Sequence, residues 1–143
     1  MMLNTDHLLQ CIKTLESSLA YLKTSKPHSV EYDVFRNAAI KGFELTLETS
    51  GKLLRKALKA YSTDPRAIDE LTYKEVFRHA AKHVFLETDT VKNWFAYRDN
   101  LNNTAHDYGE AFAEHTLTLL SQFLIDAKAL QMTLEEKLGA ENA

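Results

Sequence analysis

One stretch of this 143-residue chain concentrates side chains able to do chemistry: Trp94-Phe95-Ala96-Tyr97-Arg98-Asp99-Asn100-Leu101-Asn102-Asn103-Thr104-Ala105-His106-Asp107-Tyr108-Gly109. His106, Asp107 and Tyr108 offer an imidazole, a carboxylate and a phenol side by side. The imidazole titrates near neutrality and can move a proton in general acid–base catalysis. A phenol can hydrogen-bond a phosphate or, once deprotonated, attack one. The asparagines and Thr104 are poor helix formers placed where two helices must pack, so they need partners or a ligand. The same residues also suit a polar helix junction, with Thr104 or Asp107 capping, His106 satisfied by backbone carbonyls and the Tyr108 ring packed on its neighbours.

Other constellations have simpler readings. His79 and His83 share the i,i+4 spacing that can chelate a metal, but no glutamate completes a metalloprotease pattern and no third ligand is evident, so no metal is expected. Glu44, Glu48 and Lys52 form a row on one helix face that suits ordinary i,i+4 pairing. The single cysteine, Cys11, excludes an internal disulfide and a cysteine-rich zinc site, and its apolar surroundings suit a buried thiol. There is no glycine-rich phosphate loop or Ser-His-Asp arrangement, and no cofactor is expected. A formal net charge of −3 advertises no stable nucleic-acid surface, though a transient RNA substrate stays open. The N-terminus MMLNTDHLLQ lacks a secretory pattern and no apolar run is long enough to cross a bilayer, so the expected location is cytoplasmic with no membrane partner.

The elements that must position these groups are helical. Leu8, Ile12, Leu15, Leu19 and Leu22 recur at spacings of three and four, predicting a helix over about 5–24 that Thr5 or Asp6 can cap and Pro27 cannot continue. Phe35, Ala39, Phe43, Leu47, Leu54 and Leu58 predict a second helix over about 31–61, with Val34, Ala38 and Leu45 widening its stripe. Gly42 and Gly51 fall inside it, where they permit close approach or bending at a cost of about 1 kcal/mol each. Thr72-Tyr73-Lys74-Glu75 has capping-box spacing and opens a helix over about 73–86, with Val76, Phe77, Ala80, Ala81, Val84 and Phe85 inward or nearly so. Asp89 is placed to cap a fourth helix, about 90–103, and the last spans about 109–138. The expected fold is all-α, a single domain over 1–143: an antiparallel bundle of about five helices with an up-and-down four-helix core.

At Asn102, Thr104, His106 and Tyr108 the chain resembles the HEPN proteins encoded beside minimal nucleotidyltransferases, the HepT-like toxins and the nucleotidyltransferase substrate-binding group. Their hallmark is an arginine, four residues, a histidine, one residue and a tyrosine. The resemblance extends over Phe35–Glu44, Leu47-Glu48, Lys52–Leu54, Thr72–Ala81 and Trp94. Leu101 stands where the family has its arginine. The resemblance implies a homodimer, a minimal nucleotidyltransferase partner in a toxin–antitoxin-like pair, and metal-independent RNA cleavage at a cleft holding two copies of the motif. In that chemistry histidine shuttles the proton and arginine holds the phosphate, a role leucine cannot imitate. Arg98, one helical turn before Leu101, is the candidate replacement, its alternative being a surface salt bridge with Glu87 or neighbours near Asp99. The catalytic candidates are therefore His106 and Arg98, with Asn102, Thr104, Asp107 and Tyr108 lining an RNA or nucleotide site. Tyr108 also matches the family's tyrosine that accepts AMP from the partner. The alternative the resemblance carries is a non-catalytic subunit, similar to the helical substrate-binding domain of kanamycin nucleotidyltransferase, which presents a substrate or nucleotide to a separate enzyme.

Overall fold

A computed structural model describes residues 2–104 and 110–139, with the backbone alone for 102–104 and 110–112. Six α-helices follow in order: α1 (Asp6–Thr24), α2 (Val30–Lys59), α3 (Pro65–Asp69), α4 (Tyr73–Lys82), α5 (Val91–Thr104) and α6 (Glu110–Leu138), with a 3₁₀ turn at Thr88–Thr90 leading into α5. No strand occurs among the described residues. The helical bundle is thus as the periodicity predicts, with α3 added: Pro65 pre-sets the backbone at the first position of that single turn.

The long helix α2 is the spine, packing against α1, α4, α5 and α6. Its buried positions include Ala39, Phe43, Leu47, Leu54 and Leu58, while α1 contributes Leu8, Ile12, Leu15 and Leu22. Ideal Cβ atoms built on the two helical glycines show what their absence allows. At Gly42 the atom would lie 3.2 Å from the Leu15 Cβ, so α1 and α2 close directly across it; at Gly51 it would lie 2.5 Å from Cε2 of Tyr73. Val34, Ala38 and Leu45, expected to widen the buried stripe, are instead exposed, because no described element covers that side of α2. Ser29 caps α2 by accepting from the Tyr32 N–H. Neither Thr5 nor Asp6 caps α1 by a side-chain bond: Thr5 Oγ1 donates to Glu135 on α6 at 2.7 Å instead.

Two expectations around α4 are corrected. The Thr72–Glu75 capping box forms, but the helix ends at Lys82 rather than near residue 86. Phe85 N–H bonds the Ala80 carbonyl at 2.9 Å and Val84 N–H bonds Ala81 at 3.1 Å, the paired contacts of a Schellman closure, and Val84 turns left-handed at φ 62°. The turn exposes Val84 (68%) and buries Phe85 and Leu86. Asp89 lies within the 3₁₀ turn and does not cap α5. Cys11 is buried. No helix among the described residues is long and apolar enough to cross a membrane.

Candidate functional site

The faces of α5 divide the polar segment between scaffold and site. One face belongs to the core. Trp94 is fully buried, stacked on Phe77 at 4.9 Å and edge-on to Tyr97 and Phe123. Tyr97 is also buried, and its hydroxyl donates to Asp126 Oδ2 on α6 at 2.6 Å; Asn93 donates to the same oxygen and Gln122 to Oδ1. Burial, and the Asp126 carboxylate that its proton serves, push the Tyr97 phenol well above its usual pKa. Asn100, buried one turn on, donates to Thr116 Oγ1 at 3.0 Å. Several polar residues of the segment therefore stitch α5 to α6, satisfying buried groups pairwise.

The flank of α5 turned toward α4 carries Arg98. Its guanidinium lies 4.7 Å from the centroid of the Tyr73 ring, a cation–π contact, and it forms no ion pair among the described residues. The expected bridge to Glu87 or the surroundings of Asp99 is absent, because Asp99 pairs with Lys74 at 2.8 Å and Arg98 turns to Tyr73. Tyr73 is itself held: its hydroxyl donates to the Leu47 carbonyl at 2.8 Å and its ring rests on Phe77 and against Gly51. Burial raises the Tyr73 pKa far above the normal phenol range despite the opposing pull of Arg98.

Around this pair, Glu48, Gly51, Lys52 and Arg55 from α2 complete an open pocket of about 270 Å³. Arg55 donates to the carbonyls of Ile68 at 2.6 Å and Leu71 at 3.1 Å. The Glu48–Lys52 pairing expected from their spacing does not form, and Glu44 pairs with Lys41 instead. Both pocket residues are exposed. Sequence reasoning missed Lys52, Arg55 and Tyr73 as neighbours of Arg98. The available signal was Glu48, Lys52 and Arg55 at i, i+4 and i+7, one face of one helix.

Leu101 is half-buried and packs against the hydrophobic core. His106, Asp107 and Tyr108 lie outside the described residues, as do the side chains of Asn102 and Thr104. The arrangement of Arg98 with these five candidates is therefore not among the described contacts. His83 is the C-cap of α4 and its ring stacks on Tyr61.

Comparison with known proteins converges on one group. A probable ribonuclease HepT of Haemophilus influenzae (strain ATCC 51907 / DSM 11121 / KW20 / Rd) is 27% identical over 109 residues, which is 76% of this chain and 73% of that protein. The solved structure of HI0074 from the same species, described as revealing the fold of a substrate binding domain of a nucleotidyltransferase, superposes with a TM-score of 0.82. It covers 92% of this chain and 99% of that one at 24% identity, a likeness of fold. Residues 3–136 match the family described as nucleotidyltransferase substrate binding protein like, and the chain belongs to that family.

Proposed function

We propose that this protein is the HEPN-type partner of a minimal nucleotidyltransferase in a two-component, toxin–antitoxin-like pair, acting as a homodimer. The observation that carries this reading is the family match over residues 3–136. The HepT-like relative adds ribonuclease chemistry to the proposal. In that chemistry His106 transfers the proton to or from the 2′-hydroxyl or the leaving oxygen, and Arg98 supplies the charge at the phosphate that Leu101 cannot. Asn102, Thr104 and Asp107 orient the RNA or nucleotide. Tyr108 accepts AMP, its oxygen bonding the α-phosphorus as pyrophosphate leaves.

A second reading is favoured by a specific observation: Leu101 packs against the core. An arginine would have to leave that contact to reach a phosphate, so the position is built as scaffold. The chain then serves as a non-catalytic subunit that presents a substrate to its nucleotidyltransferase. Metal-free RNA cleavage by wild type, Leu101→Arg and His106→Ala separates the two. Cleavage by wild type that His106→Ala abolishes supports the nuclease. A silent wild type with an active Leu101→Arg supports the subunit, with an intact cleft that has lost its phosphate clamp. Incubation with the partner and ATP adds one AMP by mass if Tyr108 is the acceptor, and Tyr108→Phe abolishes the addition.

A further inference from the structure

The cations at the α2–α4–α5 pocket raise a question the motif does not answer. Lys52, Arg55 and Arg98 face one carboxylate, Glu48, in a protein whose net charge is −3. Exposed lysines near a helix are common, but the arrangement beneath Arg98 is built. Gly51 has no Cβ, so the Tyr73 ring can settle against α2, where any larger residue would meet it at 2.5 Å. The Leu47 carbonyl then fixes the hydroxyl at the far edge of that ring. Arg98 lies over the ring and is oriented through its π face. A cation–π contact fixes a guanidinium without consuming its N–H donors, whereas a salt bridge would occupy them.

We propose that this pocket is an oxyanion site that takes a phosphate group, with Arg98 as its fork and Lys52 as its second charge. A planar guanidinium whose donors are taken by no hydrogen bond or ion pair among the described residues suits bidentate binding of a phosphate, and the exposed Lys52 ammonium closes on it as a point charge. Arg55, already committed to the Ile68 and Leu71 carbonyls, contributes its positive field from the pocket wall. Glu48, the one carboxylate among the described residues lining the pocket, offsets part of this positive charge. The phosphate can belong to a nucleoside monophosphate or to an RNA backbone. The assignment deepens the reading above through Arg98, but it concerns binding and needs no turnover.

The test is equilibrium binding by the full chain, without metal, of AMP and of a fluorescein-labelled single-stranded RNA 12-mer. Arg98→Ala, Arg98→Lys and Lys52→Glu are compared with Lys13→Glu, which makes the same charge change on exposed α1. Arg98→Ala weakens binding by about tenfold or more, as expected for loss of charge-assisted hydrogen bonds. Arg98→Lys recovers part of it, and Lys52→Glu weakens it several-fold. Lys52 is exposed, so its substitution reports on the site without threatening the fold. Weakening of AMP by these variants beyond the Lys13→Glu effect identifies a mononucleotide site; weakening of RNA alone identifies a backbone-phosphate site. Binding of neither probe, or equal binding by Lys52→Glu and Lys13→Glu, overturns the assignment. AMP binding lost in Arg98→Ala while no variant cleaves RNA keeps the pocket and removes the nuclease reading. Cleavage by wild type with binding unmoved by Arg98→Ala and Lys52→Glu does the reverse.

Discussion

Replacing Gly51 by alanine tests the packing on which the Arg98 platform rests, because local and tertiary effects oppose each other in sign. In the helix interior the change alone would stabilise by about 1 kcal/mol. Against that, the new Cβ would lie 2.5 Å from Cε2, 3.2 Å from Cδ2 and 3.3 Å from Cζ of Tyr73, so the ring must move. It is not free to do so, since Phe77 supports it and its hydroxyl is bonded to Leu47. Overpacking of this kind costs about 2 kcal/mol, and a strained or broken hydrogen bond adds about 1 kcal/mol. The net expectation is a loss of about 2 kcal/mol, or about 6 °C in Tm for a chain of this size. Calorimetry or urea unfolding reads it directly. The decisive control is the same substitution in a Tyr73→Ala background. With the ring gone, alanine at 51 stabilises by about 1 kcal/mol, giving a coupling of about 3 kcal/mol. A Gly51→Ala protein that melts above wild type, or a cycle additive to within about 0.5 kcal/mol, would refute the reasoning.

Three further outcomes follow from the same contacts. Val84→Gly raises stability by about 1 kcal/mol in urea unfolding, because it relieves a β-branched residue at φ 62° whose exposed side chain buries little; a destabilised variant would show the turn to be unstrained. Tyr97→Phe lowers stability by about 2 kcal/mol, since it strips the 2.6 Å donor from the buried Asp126 carboxylate; an unchanged urea midpoint would contradict this. Tyr73 and Tyr97 both have folded pKa values above that of an unfolded tyrosine, near 10, so the stability they lend is complete below about pH 10 and falls as pH rises beyond it. Absorbance at 295 nm followed with circular dichroism should show these two phenols ionising only as the helices melt; all tyrosines titrating together in an intact fold would sink the prediction.

Most of the bundle was legible because its information is periodic and local. The α1 stripe through Leu8, Ile12, Leu15 and Leu22, and the Thr72–Glu75 box, are written in residue types at fixed spacings. The end of α4 was not. A left-handed closure is normally announced by glycine, but here Val84 adopts it so that Phe85 and Leu86 can turn inward, a tertiary demand with no local mark. Val34, Ala38 and Leu45 show the converse limit: an apolar stripe is buried only where another element arrives. At the site, the sequence marked the polar run on α5 but could not divide it. Tyr97 and Asn100 find their partners on α6, 29 and 16 residues away. Arg98 finds its own on α4, and no spacing within α5 reveals either.

That division bears on how Leu101 should be understood. If Leu101 were a recent loss from an otherwise exposed catalytic position, its side chain would be expected at the surface. It packs instead against the core, while Arg98, one turn earlier and about 60° around α5, lays its charge over Tyr73 of α4 and is steadied there. Tyr73 in turn depends on a glycine that weakens α2, and the two exposed charges beside it leave their available i,i+4 pairing unmade. A helix that forgoes both a better residue and an available ion pair in one spot is giving up stability for shape and charge at that spot. The proposed phosphate site is therefore to be tested where Arg98 points, between α2 and α4. Restoring arginine at position 101 tests a different question, whether the motif cleft alone can still cut RNA.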